Sequence, residues 1–396
     1  MIDVPAIQAA LRQFGFDGWL LCDFRGSNLL AQRILGLAPS DVGSRRYFYS
    51  IPAQGEPRKL VHRIETRALD HVPGSKTVYL RWQELEAGLK HLLGGMKTVA
   101  MEYSPRNAIP YISRVDAGTI EIIRSLNVEI VSSGDLIQLF EAAWDDEQER
   151  SHFDAAVHTD SAYARAWRFI AARVRDMGSV EEIEVQVEIM KHFAEHDMET
   201  YSPPIVAVGP HAGNPHYETG SGEGTQIREG DFVLIDLWAK MKRPRAVYSD
   251  LTRVGFVGKT VPEKYTHIFN IVAKARDAAI DKVRTAFAAG RPIQGWEVDR
   301  TTRDVISVAG YADQFVHRTG HSIGQEVHGN GANMDDLETH ETRLILRRTC
   351  FSIEPGIYLP EFGVRLEVDV YIDGAGKVHV TGGPLQTAVV PILAEY

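Results

Sequence analysis

FVLIDLWA, residues 232–239, has the composition of a buried strand, yet Asp236 falls on the same face as Phe232 and Leu234. A lone carboxylate in such a place costs several kcal/mol, so it requires a strong partner. YSDLTRVGFVG follows, with Asp250 between Tyr248 and Thr252 on one face, and the basic link KMKRPR joins the two stretches. Together they read as a hairpin presenting two acids side by side. FSIEP sets Glu354 on a strand just before a Pro-Gly break. GVRLEVDVYI alternates, with Val364, Leu366, Val368 and Val370 on one face and Arg365, Glu367 and Asp369 on the other. HRTGHSIGQEVHG then carries His317, His321 and His328, three of the fifteen histidines in the chain. Three imidazoles this close could be ligands of one metal, a proton relay, or a coincidence on a polar loop. Gly320, Gly324 and Gly329, with β-branched Thr319, Ile323 and Val327, argue for an irregular strand-and-turn path rather than a helix.

Taken singly, each residue has an ordinary structural explanation. Asp250 could pair with Arg253, and Glu367 with Arg365 and Asp369 could form the wet face of an edge strand. A single histidine is more often hydrogen-bonded than ligating. The set is harder to explain that way, because buried-strand acids plus a histidine, with no second cation to neutralise them, call for bound metal. Four carboxylates and one imidazole are too many for one tetrahedral zinc and suit two ions sharing bridging carboxylates. Two-ion sites hydrolyse, by activating water at neutral pH and clamping the oxygens of a tetrahedral intermediate.

The elements that must hold these residues are legible in outline. In the first half Ile7, Leu11 and Phe14 keep helical spacing, and GWLLC, RRYFYSI, RKLVHRI, KTVYLRW and KTVAMEY read as strands of an α/β domain. The charged run at residues 145–150 marks the expected domain boundary and opens a helix reaching Met177. Beyond it, Ser179 and Glu182 are expected to form a capping box, and Ile183, Val187, Met190 and Ala194 the buried stripe of a second helix. Strands over 201–258, helices near 261–290 and 295–309, and strands from 313 onward make this half α+β.

The chain has 396 residues, 44% hydrophobic and 24% charged, enough for two globular domains. Only Cys22 and Cys350 are present, so there is no disulfide framework and no CxxC metal pair. A net charge of −10, with no dense basic tract, argues against nucleic acid as a partner. MIDVPAIQAALRQFGF has no basic n-region or apolar h-region, and no apolar run approaches a bilayer span, so the expectation is a cytoplasmic protein without a membrane partner.

In this order, IVAVGPHAGNPHYE, LIDLWAK, YSDLTR, HRTGHSIG, SIEPG and GVRLEVD resemble the metal-site motifs of the pita-bread metallopeptidases (M24), in the branch holding Xaa-Pro aminopeptidases, Xaa-Pro dipeptidases (prolidases) and creatinase. The resemblance implies an α/β creatinase-like N-terminal domain over 1–145, an α+β pita-bread catalytic domain over 146–396, and a homodimer. It implies that Asp236 ligates one metal, that His321 and Glu354 ligate the other, and that Asp250 and Glu367 bridge both. The cofactor it implies is two divalent ions, manganese ahead of cobalt or zinc. His216 and His328 match positions that bind the scissile carbonyl and stabilise the intermediate. His317 matches a further active-site histidine. Glu354 would also carry a proton from water to the leaving imino nitrogen. Arg365 would orient Glu367 and stand among the substrate-binding residues. Two features depart from the family pattern. The link between Asp236 and Asp250 is long, with its surplus in AKMKRPRA, and Arg347-Arg348-Thr349-Cys350 precedes SIEPG.

The implied reaction is cleavage of the Xaa-Pro bond of a dipeptide or short peptide from its N-terminus, through a hydroxide shared by the ions. Residues 240–245, Arg343, Arg347 and Arg348 offer cations for a substrate's terminal carboxylate, which tilts the expectation toward a dipeptidase. The alternatives are an Xaa-Pro aminopeptidase on longer peptides, a creatinase-like C–N hydrolase of a small non-peptide, and a non-catalytic binding protein on the same fold. Retention of all five ligand positions counts against the last two.

Overall fold

The computed structural model describes residues 2–41 and 43–396. The chain divides into two units, Met1–Glu141 and Ala142–Tyr396.

In the first unit α1 (Val4–Phe14), β1 (Gly18–Asp23), α2 (Leu29–Leu35), β2 (Tyr47–Pro52), β3 (Arg58–His62), β4 (Ser75–Tyr79), α3 (Trp82–Leu92), β5 (Thr98–Met101), α4 (Ala117–Ser125), β6 (Glu129–Ser132) and α5 (Gly134–Ile137) follow one another. The strands form one mixed sheet in the order β4-β3-β2-β1-β5-β6. Trp19 and Leu21 of β1 pack with Ile7, Leu11 and Leu30 on one face. Leu20 and Cys22 pack with Leu85, Leu89 and Ile123 on the other. Burial on both faces is why GWLLC is apolar throughout. The short strand β6 had no expectation attached to it.

The second unit opens with α6 (Asp146–Met177). Asp145 caps it, accepting from the Glu147 and Gln148 amides, and three acids sit in its first turn. Next come β7 (Ser179–Glu181) and α7 (Glu182–Glu195), and here two expectations fail. Ser179 lies in β7, and the capping box is made by Glu181 and Glu184. The buried stripe is Val185, Ile189 and Phe193, while Ile183 and Val187 are 45% and 46% exposed. The cause is Glu182, which is turned fully inward. Its carboxylate accepts from the Val208 amide at 2.7 Å and from the Tyr217 hydroxyl at 2.5 Å, and it lies 2.8 Å from His211 Nδ1. A buried acid with these partners, and the Gly220 amide at 3.4 Å, fixes the rotation of the helix more firmly than two apolar side chains do.

The chain continues through β8 (Met198–Glu199), β9 (Ile205–Val208), β10 (Gln226–Arg228), β11 (Phe232–Met241), β12 (Ser249–Phe256), α8 (Glu263–Ala288), α9 (Gly295–Val308), β13 (Ser322–Ile323), β14 (Cys350–Ile353), β15 (Gly356–Tyr358), β16 (Gly363–Arg365), β17 (Val368–Ile372), β18 (Val378–Thr381), β19 (Val390–Pro391) and α10 (Ile392–Glu395). One sheet runs β19-β12-β11-β8 with β9 also on β11, and a second runs β13-β14-β17-β18. Strands β11 and β12 pair antiparallel, with Asp236 opposite Thr252 and Trp238 opposite Asp250. Val233, Ile235, Leu237 and Leu251 pack with Tyr163 and Trp167 of α6. Phe232, Leu234 and Val254 pack with Phe269 and Val272 of α8 on the opposite face. The Tyr163 hydroxyl reaches the carbonyl oxygens of Ile235 and Leu251, at 3.2 and 2.5 Å, and so ties the two strands together on the α6 side.

The basic hairpin tip is also tied to α6. Arg243 pairs with Asp154 and Arg245 with Asp145, each at 2.6 Å. Arg343 is buried against Glu341, and Arg348 pairs with Asp146 at 2.8 Å. GVRLEVDVYI is not an edge strand with a wet face. It is split between β16 and β17, and every residue from 363 to 372 is buried. At the split the Glu367 amide donates to the Thr252 carbonyl at 3.1 Å. Among the described residues no helix is long and apolar enough to cross a membrane.

Candidate metal centre

Strand parity carries the Phe232–Leu234 face of β11 on to Asp236, and the Val254 face of β12 back through Thr252 to Asp250. The two acids therefore share one side of the hairpin, diagonally related across it. Glu367 enters from the break before β17, held against β12 by its own amide. Glu354 follows β14. His321 precedes β13, which pairs with β14. That pairing depends on Gly320, where an added Cβ would stand 1.9 Å from the Ser352 carbonyl oxygen. The close approach lets the Ser352 hydroxyl accept from the His321 amide at 3.0 Å and donate to Glu354 at 3.1 Å.

Asp250, His321 and Glu367 place one ligand atom each within 4.8 Å of the others. His321 Nε2 lies 3.4 Å from Glu354 and 3.6 Å from Asp250. Its Nδ1 is 3.2 Å from the Ser322 carbonyl, a contact that puts the ring proton on Nδ1 and leaves Nε2 as a lone pair facing the acids. Burial, then His328 and Arg318, hold this imidazole neutral. Asp236 accepts from Arg365 through one oxygen, while its Oδ1 is buried with no hydrogen-bond partner. Burial raises all four carboxyls above their ordinary range. Asp250 is raised further by Asp236, Glu367 further by Asp250, and Glu354 reaches about 7. Four carboxyls, three buried and Glu354 partly so, face the charges of Arg365 and Arg318, and with an orphaned oxygen among them they form a site short of positive charge. The donor set, carboxylate oxygens with one imidazole nitrogen, fits divalent cations.

Arg365 is placed differently from expectation. Its Nη2 donates to Asp236, its Nη1 to the Tyr358 hydroxyl at 3.0 Å and its Nε to Thr252 Oγ1 at 3.1 Å, so protein groups take all three nitrogens. It reaches Glu367 only through Thr252, whose hydroxyl donates to Glu367 Oε2 at 2.8 Å. Arg253, a possible partner of Asp250, pairs with Asp160. His317 sits behind the group, with Nε2 2.7 Å from the Tyr358 hydroxyl. His328 stands at its edge, its ring perpendicular to that of His321 with centroids 4.4 Å apart. His216 is exposed on the loop after β9. It lies close enough to His328 for their charges to repel.

Thr252, Tyr358, Ser352 and Asp369 were not anticipated as site residues. Asp369 is buried and accepts from the Asp250 amide at 3.0 Å. Its signal was available, since it alternates with Glu367, as Thr252 does with Asp250.

Comparison with known proteins bears on the family and the fold. A model of the family described as Metallopeptidase family M24 matches residues 152–374, more than half of the chain. An Xaa-Pro dipeptidase from Lactobacillus delbrueckii subsp. lactis is 33% identical over 216 residues, 54% of this chain and 52% of the relative. The chain spans about half to two thirds of the length of the curated relatives it matches. The dipeptidase PepE from Mycobacterium ulcerans has the same fold, with a TM-score of 0.67 at 23% identity, covering 98% of this chain and 96% of its own. A dipeptidase from Pyrococcus horikoshii OT3 has a TM-score of 0.58 at 26% identity, covering 98% and 99%.

Proposed function

The chain belongs to metallopeptidase family M24, with the pita-bread fold, and from that premise we propose that it cleaves the Xaa-Pro bond of dipeptides or short peptides at a two-metal centre. The observation that carries the reading is the convergence of Asp250, His321, Glu354 and Glu367, with Asp236 beside them presenting an unpartnered oxygen. In this assignment Asp236 would hold one ion, His321 and Glu354 the other, and Asp250 and Glu367 would be shared between them. Bound ions would lower the pKa of water and polarise the scissile carbonyl. The oxygen-rich set favours manganese, with cobalt and zinc as the alternatives to test. Glu354, steadied by Ser352, accepts a proton from water and returns it to the leaving imino nitrogen. His328 and His216 line the open side, where the carbonyl oxygen gains charge. Arg365 positions Asp236 directly and Glu367 through Thr252.

We favour a dipeptidase, the activity named for the Lactobacillus relative. Arg243, Arg245, Arg343 and Arg348, expected as cations for the substrate carboxylate, are engaged elsewhere. The charge of Arg318 reaches His321, His328 and Glu354. The proposal includes a cytoplasmic homodimer, following the family resemblance and two buried free cysteines. The test strips the protein with EDTA, reloads it with Mn²⁺, and compares Ala-Pro, Ala-Pro-amide and Ala-Pro-Ala. Activity should vanish and return with metal. Ala-Pro should lead by an order of magnitude or more in kcat/KM, as loss of a charge-assisted contact worth roughly 1.5–3 kcal/mol predicts. Equal or faster cleavage of the tripeptide makes the chain an aminopeptidase, and no cleavage of any of the three sinks the peptidase reading.

A further inference from the structure

A second histidine cluster lies outside the carboxylate site. His158 projects from α6, and His192 and His196 stand one turn apart at the end of α7. One ring nitrogen from each lies within 4.8 Å of those of the other two. The His196 ring centroid is 4.4 Å from that of His158 and 4.2 Å from that of His192. Polar contacts prepare two of the rings as ligands. His196 Nδ1 is 2.8 Å from the His192 carbonyl oxygen, and His192 Nε2 is 3.0 Å from the His158 carbonyl oxygen and 3.0 Å from Ser161 Oγ. A carbonyl acceptor keeps the proton on the nitrogen facing it. The other nitrogen of each ring is left as a lone pair, as in most metal-bound histidines.

The nearby acids are committed to other partners. Asp154, one turn before His158, pairs with Arg243, and Glu188 and Glu195 pair with Arg165. Burial, and then the neighbouring His196, hold His158 and His192 below the ordinary imidazole value, so both are neutral donors at neutral pH. Three imidazoles from two helices, without a carboxylate bound to them, suit a borderline-soft cation better than a hard one.

We propose that His158, His192 and His196 form a separate transition-metal site, taking Zn²⁺ or a similar ion with three nitrogen ligands and a water, and clamping α6 to α7. Side-chain rotation brings the nitrogens to the ~3.3 Å separation of a tetrahedral zinc site. The ion would cross-link the helix that backs the catalytic hairpin to its neighbour, away from the substrate.

The test uses the Mn²⁺-loaded protein, titrated with Zn²⁺, with bound zinc counted after gel filtration for wild type, His196→Gln and His158→Gln. Exchange of zinc into the carboxylate site affects all three proteins alike, so the difference between them isolates the histidine site. Wild type should hold one zinc more than either variant, and its Tm should rise by a few degrees where theirs do not. Loss of a ligand should weaken this zinc more than ~100-fold, beyond the effect of losing a ligand's supporting hydrogen bond. Ala-Pro turnover with Mn²⁺ should be the same in all three, which also shows that the variants fold. Equal zinc content in wild type and variants, or no zinc in wild type beyond what the carboxylate site takes up, overturns the proposal. Because the readout is a difference in zinc, it holds even if the peptidase assignment fails.

Discussion

Asp250 and His328 lie close together and should fail in different ways. Asp250 is buried among other acids and shares two ions in the proposed assignment, so Asp250→Ala should abolish turnover and reduce bound metal together. Full activity with two metals per chain retained would sink the assignment. His328 touches the group only edge-on, through His321. His328→Ala should keep its metal and lose about two to three orders of magnitude in kcat, as when one preorganised donor to the intermediate is removed. Metal loss in that variant would make His328 a ligand. At this scale the sequence was most informative where a residue contradicted its surroundings. Asp236 in FVLIDLWA could not be a solvated acid, and it is not one. Glu367 looked like the wet face of a strand because alternation reports which residues share a face but not what covers that face. Arg365 was matched to Glu367 by spacing along the chain, whereas its partner, Asp236, comes from a different sheet.

Among the elements, the approach of the His321 segment to β14 is the most demanding contact. The Ser352 amide donates to the His321 carbonyl at 2.8 Å and the Glu354 amide to the Thr319 carbonyl at 2.7 Å, so His321 and Glu354 are both set by one short ladder. Gly320 permits it, and a methyl there would meet backbone, which cannot move aside as a side chain can. Gly320→Ala should therefore separate His321 from Glu354 and cost at least 1–3 kcal/mol, the usual range for overpacking, with activity falling further than stability. The measurement is a urea midpoint beside kcat/KM, and an unchanged kcat/KM would refute the argument. The mis-phased stripe of α7 belongs to this scale too. Ile183 and Val187 have helical spacing, but periodicity cannot reveal that Glu182 has partners waiting in the segment after β9.

For the whole molecule, the raised carboxyls make a prediction about pH. A carboxyl whose folded pKa exceeds its unfolded value stabilises the fold fully below about pH 4, and that contribution is lost as pH rises through the folded value. For Glu354 that value is about 7 and for buried Asp369 about 8, with Asp236, Asp250 and Glu367 shifted the same way. After chelation, Tm should fall between pH 7 and 8, above the range in which His152, His317, His321 and His328, held neutral by burial, shift stability the other way, whereas bound divalent ions favour the charged carboxylates and should cancel or reverse the slope. The gap between the two melting curves should widen with pH, at roughly 2–4 °C per kcal/mol. Parallel curves would mean that these acids are not the ion-binding group.

Tyr163 gives the molecule an uneven mechanical character. Its hydroxyl sits on the α6 side of the hairpin, touching the carbonyls of Ile235 and Leu251, the residues next to Asp236 and Asp250. The tip of the same hairpin is fastened to α6 by Arg243 and Arg245. These acids are therefore mounted on a stiff frame, braced from the face opposite their carboxylates. The His328 segment is tied in as well, by the Gly329 amide on the Ser322 carbonyl at 2.6 Å and by Lys240 of the hairpin on the Gln325 carbonyl at 2.9 Å, whereas the His216 side chain is exposed. In the proposed peptidase, substrates of different bulk would then be met by rotation of the exposed His216 side chain, while the spacing of the acids stays fixed.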